Sequence, residues 1–128
     1  MDDTLPGGTD AEEVELSAVF HVLRAKRRRL AIAILDRDGE QNLRELAKKI
    51  AAIEFDTPVR SVSNDQYRNV YNSLAQMHLP TLAEEDIVKY DSDRQTIAPG
   101  EELQLPHTMY RVAHQQLQRC LNEQSPND

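Results

Sequence analysis

The sequence predicts one mainly α-helical domain carrying a small β-hairpin, followed by an additional C-terminal helix. Three observations point there. Apolar residues recur at three- and four-residue steps through most of the chain, one short stretch reads strand, polar turn, strand, and a further apolar stripe follows the hairpin. A length of 128 residues suits a single core.

The elements follow in order. Residues 1–13 hold Asp2, Asp3, Asp10, Glu12 and Glu13 with Pro6-Gly7-Gly8 and no base, which reads as a disordered acidic arm. Val14, Leu16, Val19, Phe20 and Leu23 mark one face of a first helix. A basic run, Lys26-Arg27-Arg28-Arg29, leads into Leu30, Ile32, Ala33, Ile34 and Leu35, a buried second helix that Asp38-Gly39 ends. Asn42 with Glu45 has capping-box spacing and opens a third helix with the stripe Leu43, Leu46, Ala47, Ile50 and Ile53. Residues 54–62 contain Pro58, lack a period and read as a loop. Ser63 with Gln66 is a second capping box, opening a long helix whose buried stripe is Tyr67, Val70, Tyr71, Leu74, Met77 or His78, and Leu82. Pro80 lies inside that pattern and removes a backbone donor, so a kink is expected near Met77 or His78. Ile87 to Tyr90, the polar turn Asp91 to Arg94, and Gln95 to Ala98 make the hairpin, and Pro99-Gly100 breaks it. The domain therefore spans 14–98. A last amphipathic helix occupies about 105–122, with a flexible tail at 123–128.

Composition narrows the function classes. The formal net charge is -7, with hydrophobic residues at 39% and no Trp, so the core is aliphatic. No apolar run approaches the roughly 18 residues that cross a bilayer, and no signal-peptide pattern opens the chain. Membrane and secreted readings are excluded, and a cytoplasmic location is expected. Cys120 stands alone, which excludes an internal disulfide and a Cys-rich zinc site. No Gly-rich phosphate loop, nucleophile elbow or metal-ligand motif occurs. The expectation is a protein that is not an enzyme, with no catalytic residue, metal or cofactor. Eleven Arg against four Lys, with eleven Asp and eleven Glu, matches proteins of salt-accumulating cells. Negative charge keeps a surface soluble where salt screens other repulsion. An ordinary acidic cytoplasmic protein is the alternative.

Three helices, a long helix and a hairpin follow the order of a winged helix-turn-helix, with the long helix entering a major groove and the hairpin as wing. The run from Asn72 to Asp91, including His78-Leu79-Pro80-Thr81-Leu82 and Ile87-Val88-Lys89-Tyr90-Asp91, is specific, and Lys26 to Arg29 and Leu43-Arg44-Glu45-Leu46-Ala47 lie upstream. Together these residues resemble a haloarchaeal family of small winged-helix regulators, grouped near the PadR-like proteins and nearest to regulators of the reactive-oxygen-species response. The match covers roughly residues 14–98. It implies sequence-specific DNA binding as a homodimer, with the terminal helices supplying the dimer contact. Asp86 stands where the family pattern has Gly, and Asp tolerates left-handed geometry better than most residues. The 54–62 connection is longer than the usual helix-turn-helix turn.

If Tyr67, Val70, Tyr71 and Leu74 face inward, then Gln66, Arg68, Asn69, Asn72, Ser73 and Gln76 face outward as the major-groove candidates. Amides suit adenine edges, and Arg suits guanine or phosphate. Arg60 and Ser63 before the helix, Lys48 and Lys49 at the end of the third helix, and Arg94, Gln95 and Thr96 in the wing are candidates for the DNA backbone or a minor groove. Arg27 and Arg28 either grip phosphate or neutralise acids and the C-terminal dipole of the first helix. A solvated polar helix face is the bland reading of all of these. The dimer candidates are Val14, Leu16, Val19, Phe20 and Leu23 on the first helix, and Met109, Val112, Ala113, Leu117, Cys120 and Leu121 on the last. A second copy would cover both stripes and set two long helices on a pseudo-palindromic double-stranded site. Folding back over its own domain is the alternative for the last helix. Cys120 reads as a small apolar residue before a redox switch, His107 with His114 makes a poor metal site, and His78 suits the core. A winged-helix protein-contact module in a transcription or replication assembly is the second functional reading.

Net negative charge argues against affinity built on counterion release. Hydrogen bonds and DNA shape must then supply binding, with salt cations bridging carboxylates to phosphates at the interface. In a titration, DNA affinity should hold or rise with added salt, and a steep fall would reject the cation bridges.

Overall fold

In a computed structural model, residues 16–124 are described; the acidic arm, Val14 and the last four residues of the expected tail lie outside them. Helix α1 covers residues 16–23 and α2 Lys26–Asp38, followed by β1 (Gln41–Asn42) and α3 (Leu43–Glu54). A 3-10 turn, Val59–Ser61, interrupts the expected loop. The long helix consists of α4 (Asn64–Ser73), a π turn (Leu74–His78) and α5 (Leu79–Glu84). Strands β2 (Val88–Asp91) and β3 (Thr96–Pro99) precede α6 (Gln104–Gln124).

The described chain is mainly helical with one small antiparallel sheet in the order β1-β3-β2. The hairpin thus has a third strand that periodicity missed. Two residues are too few to alternate, and Gln41↔Ile97 and Asn42↔Thr96 pair only through tertiary approach. Asn42 also caps α3, accepting from Glu45 N at 2.8 Å. Gly39 ends α2 at φ 79° and ψ -153°, a conformation open to glycine alone, and its N–H donates to Leu35 O.

Ile32 and Leu35 of α2, Leu43, Leu46 and Ile50 of α3, Val70 and Leu74 of the long helix, Leu79 and Leu82 of α5, Ile97 of β3 and Leu103 form the core. Ile53, expected in the α3 stripe, is exposed instead. It lies on the last turn of α3, beyond Ile50 and Ala51, the last buried positions of that helix. Of the pair Met77 and His78, His78 is buried and Met77 exposed. The choice follows from the π turn: Leu79 N donates five residues back to Leu74 O, so the buried stripe advances by one position. The expected disturbance at Pro80 takes this form, and Thr81 Oγ1 donates to Met77 O at 2.8 Å beside it.

The α1–α2 corner rests on Arg28. Its buried guanidinium donates to Val22 O at 2.9 Å and His21 O at 2.8 Å, and it meets His78 Nδ1 at 3.1 Å. Arg29 donates to Leu23 O and Arg24 O. The two arginines thus supply donors to the carbonyls that end α1. Arg28, a candidate for the DNA backbone, is corrected to an interior capping residue. Of the two readings of the basic run, the helix-dipole one holds for Arg28 and Arg29.

Helix α6 starts earlier than expected. Asp36 of α2 holds its first turns, accepting from Gln104 Nε2 at 2.6 Å and meeting His107 Nε2 at 3.2 Å. Arg29 lies over the Tyr110 ring, 5.5 Å from its centroid, and His114 stacks beside the same ring at 5.6 Å. From Arg111 to Glu123 every position is exposed. Among the described residues no helix is long and apolar enough to cross a membrane.

The packing makes two points testable. A Cβ on Gly100 would sit 2.3 Å from Asp86 O and 2.8 Å from Ile87 C, backbone atoms that cannot swing aside. Gly100→Ala should cost about 1–3 kcal/mol in denaturant melts, whereas Glu101→Ala, exposed next door, should change stability by under about 0.5 kcal/mol. The second concerns acid. Burial, then the charges of Arg28 and Arg27, hold the His78 imidazole below its ordinary value of 6.5. The unfolded chain therefore takes up the proton first, so this contribution is complete above about pH 6.5 and is lost as pH falls below it. Thermal midpoints should drop more steeply between about pH 7 and about pH 5 in the wild type than in His78→Gln; parallel curves would reject the assignment.

Candidate nucleic-acid interface

Helix α4 carries a polar outer face, and a side-chain cap fixes its first turn. Ser63 Oγ accepts from Gln66 N at 3.1 Å, while Gln66 Oε1 accepts from Ser63 N at 3.0 Å, a complete capping box. Asp65 in the same turn suits the positive end of the helix dipole. Val70 and Leu74 anchor the inner side, with the half-buried rings of Tyr67 and Tyr71 at 5.5 Å between centroids. The opposite side presents Arg68, Asn69, Asn72 and Gln76, all exposed as expected.

Two of the six major-groove candidates are corrected. Gln66 is half-buried and spends its amide oxygen on the cap. Ser73 is half-buried, accepts from Arg27 Nη1 at 2.8 Å and donates to Val70 O at 3.1 Å, so its hydroxyl is committed to the protein. Spacing alone places both on the outer face; the bonds that withdraw them come from a cap and from a distant helix.

That distant partner is Arg27. Its Nε and Nη2 donate to the two Glu54 oxygens at 2.8 and 2.7 Å, Nη1 reaches Ser73 Oγ, and Nη2 also donates to Asn69 Oδ1 at 2.9 Å. The guanidinium holds the Glu54 carboxyl below the usual carboxylate range, and the carboxylate raises the arginine in turn. Arg27 is therefore corrected from a phosphate ligand to a brace joining α2, the end of α3 and α4. The bidentate geometry is the strong form of such a pair.

The basic candidates divide likewise. Lys49 Nζ is held by Asp38 Oδ2 at 3.1 Å and Gln41 Oε1 at 2.8 Å, fixing β1 to α2, so it is corrected to a structural role. Arg37 pairs with the same Asp38, and the two cations hold that carboxyl well below its ordinary value. Lys48 stays exposed, 5.8 Å over the Tyr67 ring. Arg60 is exposed on the 3-10 turn, and it shares a shallow groove with Lys48, Arg44, Val62 and Asn64 at the N-terminal end of α4. Motif reasoning missed Arg44. The signal was there: it stands four residues before Lys48, on the side of α3 away from the buried Leu43, Leu46, Ala47 and Ile50.

In the β2–β3 hairpin, Asp91 Oδ1 accepts from Asp93 N and Arg94 N, which shapes the turn. Arg94 is exposed; its Nε is 4.0 Å from Asp91 Oδ2. Gln95, expected as a strand residue, sits in the turn at φ 57° and lends its carbonyl to Leu43 N at 2.9 Å. Thr96 is half-buried opposite Asn42 and offers little to a ligand. Asp86, at φ 59°, takes the left-handed turn into β2.

The dimer candidates fall on two surfaces. Leu16 and Phe20 are exposed, but Val19 is buried and Leu23 half-buried within this chain, so those two are corrected to its own core and rim. Met109 is half-buried, and Val112, Ala113, Leu117, Cys120 and Leu121 are exposed. Among the described residues no group of three His, Cys, Asp or Glu side chains could hold a metal.

Comparison with known proteins adds one finding. No curated protein and no solved structure matches the chain. A family model described as a domain of unknown function, DUF7344, matches residues 20–98, from the middle of α1 to the last core strand. That is more than half of the chain, which belongs to the DUF7344 family.

Proposed function

We propose that this protein is a sequence-specific transcription regulator that binds double-stranded DNA as a homodimer in high salt. Its place in an oxidative-stress response rests on the family resemblance alone. One observation carries the reading: the long helix turns Arg68, Asn69 and Asn72 of α4 and Gln76 of the π turn outward together, with Asp65 the one carboxylate of α4, on a chain of net charge -7. An acidic protein that keeps one rigid helix face amide and cationic has reserved it for a ligand of negative charge and polar edges. Arg44, Lys48 and Arg60 flank its N-terminal end, where helix geometry also favours phosphate. The exposed apolar positions of α1 and of α6 beyond Arg111 supply the homodimer surface.

A protein-contact module is the second reading, favoured by the exposed cluster Ile53, Phe55 and Val59 on the α3–α4 connection. The full-length protein should enrich a defined site from randomised duplexes, with two chains per duplex. Arg68→Ala should weaken binding to that site about tenfold or more, at unchanged melting temperature. Unchanged affinity would reject the reading in favour of protein contact.

A further inference from the structure

From the bonds made by Asn69 we infer that Arg27 turns its amide NH2 outward, so that this position of the reading helix selects guanine where a free asparagine would select adenine. The inference rests on the DNA-binding reading above and deepens it.

A free Asn or Gln carries a donor and an acceptor and can pair with both edge groups of adenine, the N7 acceptor and the N6 donor. Neither amide at the start of α4 is free in that sense. Gln66 Oε1 accepts from Ser63 N, and Asn69 Oδ1 accepts from Arg27 Nη2. The orientation of both amides is chemically forced, because an amide nitrogen cannot accept from a backbone N–H or a guanidinium. The bonds turn each oxygen toward its partner, and the NH2 groups, Nε2 of Gln66 and Nδ2 of Asn69, have no partner among the described residues; of the two side chains only Asn69 is exposed. Arg68 between them is exposed and carries donors alone. The Ser73 hydroxyl, otherwise both a donor and an acceptor, is spent on Arg27 and Val70.

Facing such a surface, adenine leaves its N6 donor against another donor, an unpaired or repulsive contact. Guanine offers two adjacent acceptors, N7 and O6, and no donor on that edge. Arg27 thereby acts as a positioning residue for specificity: it touches no base but decides which half of the Asn69 amide faces outward. Asn72 and Gln76, one and two turns further on, are exposed and retain both functions. Asp65, exposed one turn before Asn69, is an acceptor, so the outward donors are those of Arg68 and Asn69 and not of the whole first half of the helix.

The test is selection from randomised duplexes with the full-length wild type, Asn69→Ala and Asn69→Lys. Asn69 is exposed, and each variant is first melted to show that it folds. The base step whose preference disappears in Asn69→Ala is the one that Asn69 reads. Guanine at that step in the wild type, kept in Asn69→Lys because lysine is also donor-only, supports the inference. Replacing that guanine by 7-deazaguanine should then weaken wild-type binding about fivefold, the worth of one hydrogen bond, and leave Asn69→Ala unchanged. Adenine at that step, switching to guanine in Asn69→Lys, would overturn the outward orientation of the Asn69 NH2 while leaving DNA reading intact. An unchanged preference in Asn69→Ala would overturn it as well. Failure of the wild type to enrich any duplex would overturn both readings together.

Discussion

The Arg27 guanidinium has Glu54, Ser73 and Asn69 around it, so α2, the end of α3 and α4 converge on a single planar cation. Arginine suits this position where lysine would not. Its fork spans both carboxylate oxygens and still leaves an N–H for the hydroxyl and another for the amide. The pair is partly shielded, with side-chain exposures of 18% and 23%. Contacts of 2.7–2.9 Å also survive where longer ones do not, because the Debye length at about 1 M salt is roughly 3 Å. The tilt of α4 is thus fixed by contacts that brine leaves largely intact.

A second guanidinium works one residue later and in the opposite sense. Arg28 is interior, and it binds the carbonyls ending α1 on one side and His78 on the other. Removing it would leave buried acceptors unsatisfied, which costs more than the bonds themselves contribute. Through this contact the helix that carries Phe20 and Leu16 on its outer side is tied to the π turn at the far end of the polar helix. Surface and interior are joined by polar bonds here, while the aliphatic core between them fills space.

Much of this architecture was legible in the sequence, and the gaps have a common cause. Periodicity gave the inner faces of α2, α3 and α4, the two caps at Asn42 and Ser63, and the hairpin. It could not reveal that Arg27 is spent, because its partners lie 27, 42 and 46 positions away. Gln66 illustrates the limit most sharply: the capping-box spacing and the outward-face argument are both visible, yet a side chain folded back onto the cap no longer reaches outward. Ile53 departs for another reason, since an apolar residue continues a stripe on paper past the last position of the helix that the fold buries. Arg44 shows the reverse case, a position that the helical arithmetic of the inner stripe of α3 also places, by difference, on its outer side.

The π turn sets how the long helix is phased. A five-residue hydrogen-bonded ring holds one residue more than an α-helical turn over nearly the same rise. Everything before Leu74 is therefore rotated by about one residue, roughly 100°, relative to where uninterrupted winding from α5 would place it. That offset lets Val70, Leu74, His78, Leu79 and Leu82 all face one interior. A chain shortened by one residue between 74 and 78 could wind regularly and keep Arg68 and Asn69 where they are, whereas a regular helix of the present length would swing both by roughly 100° toward the flank of the domain.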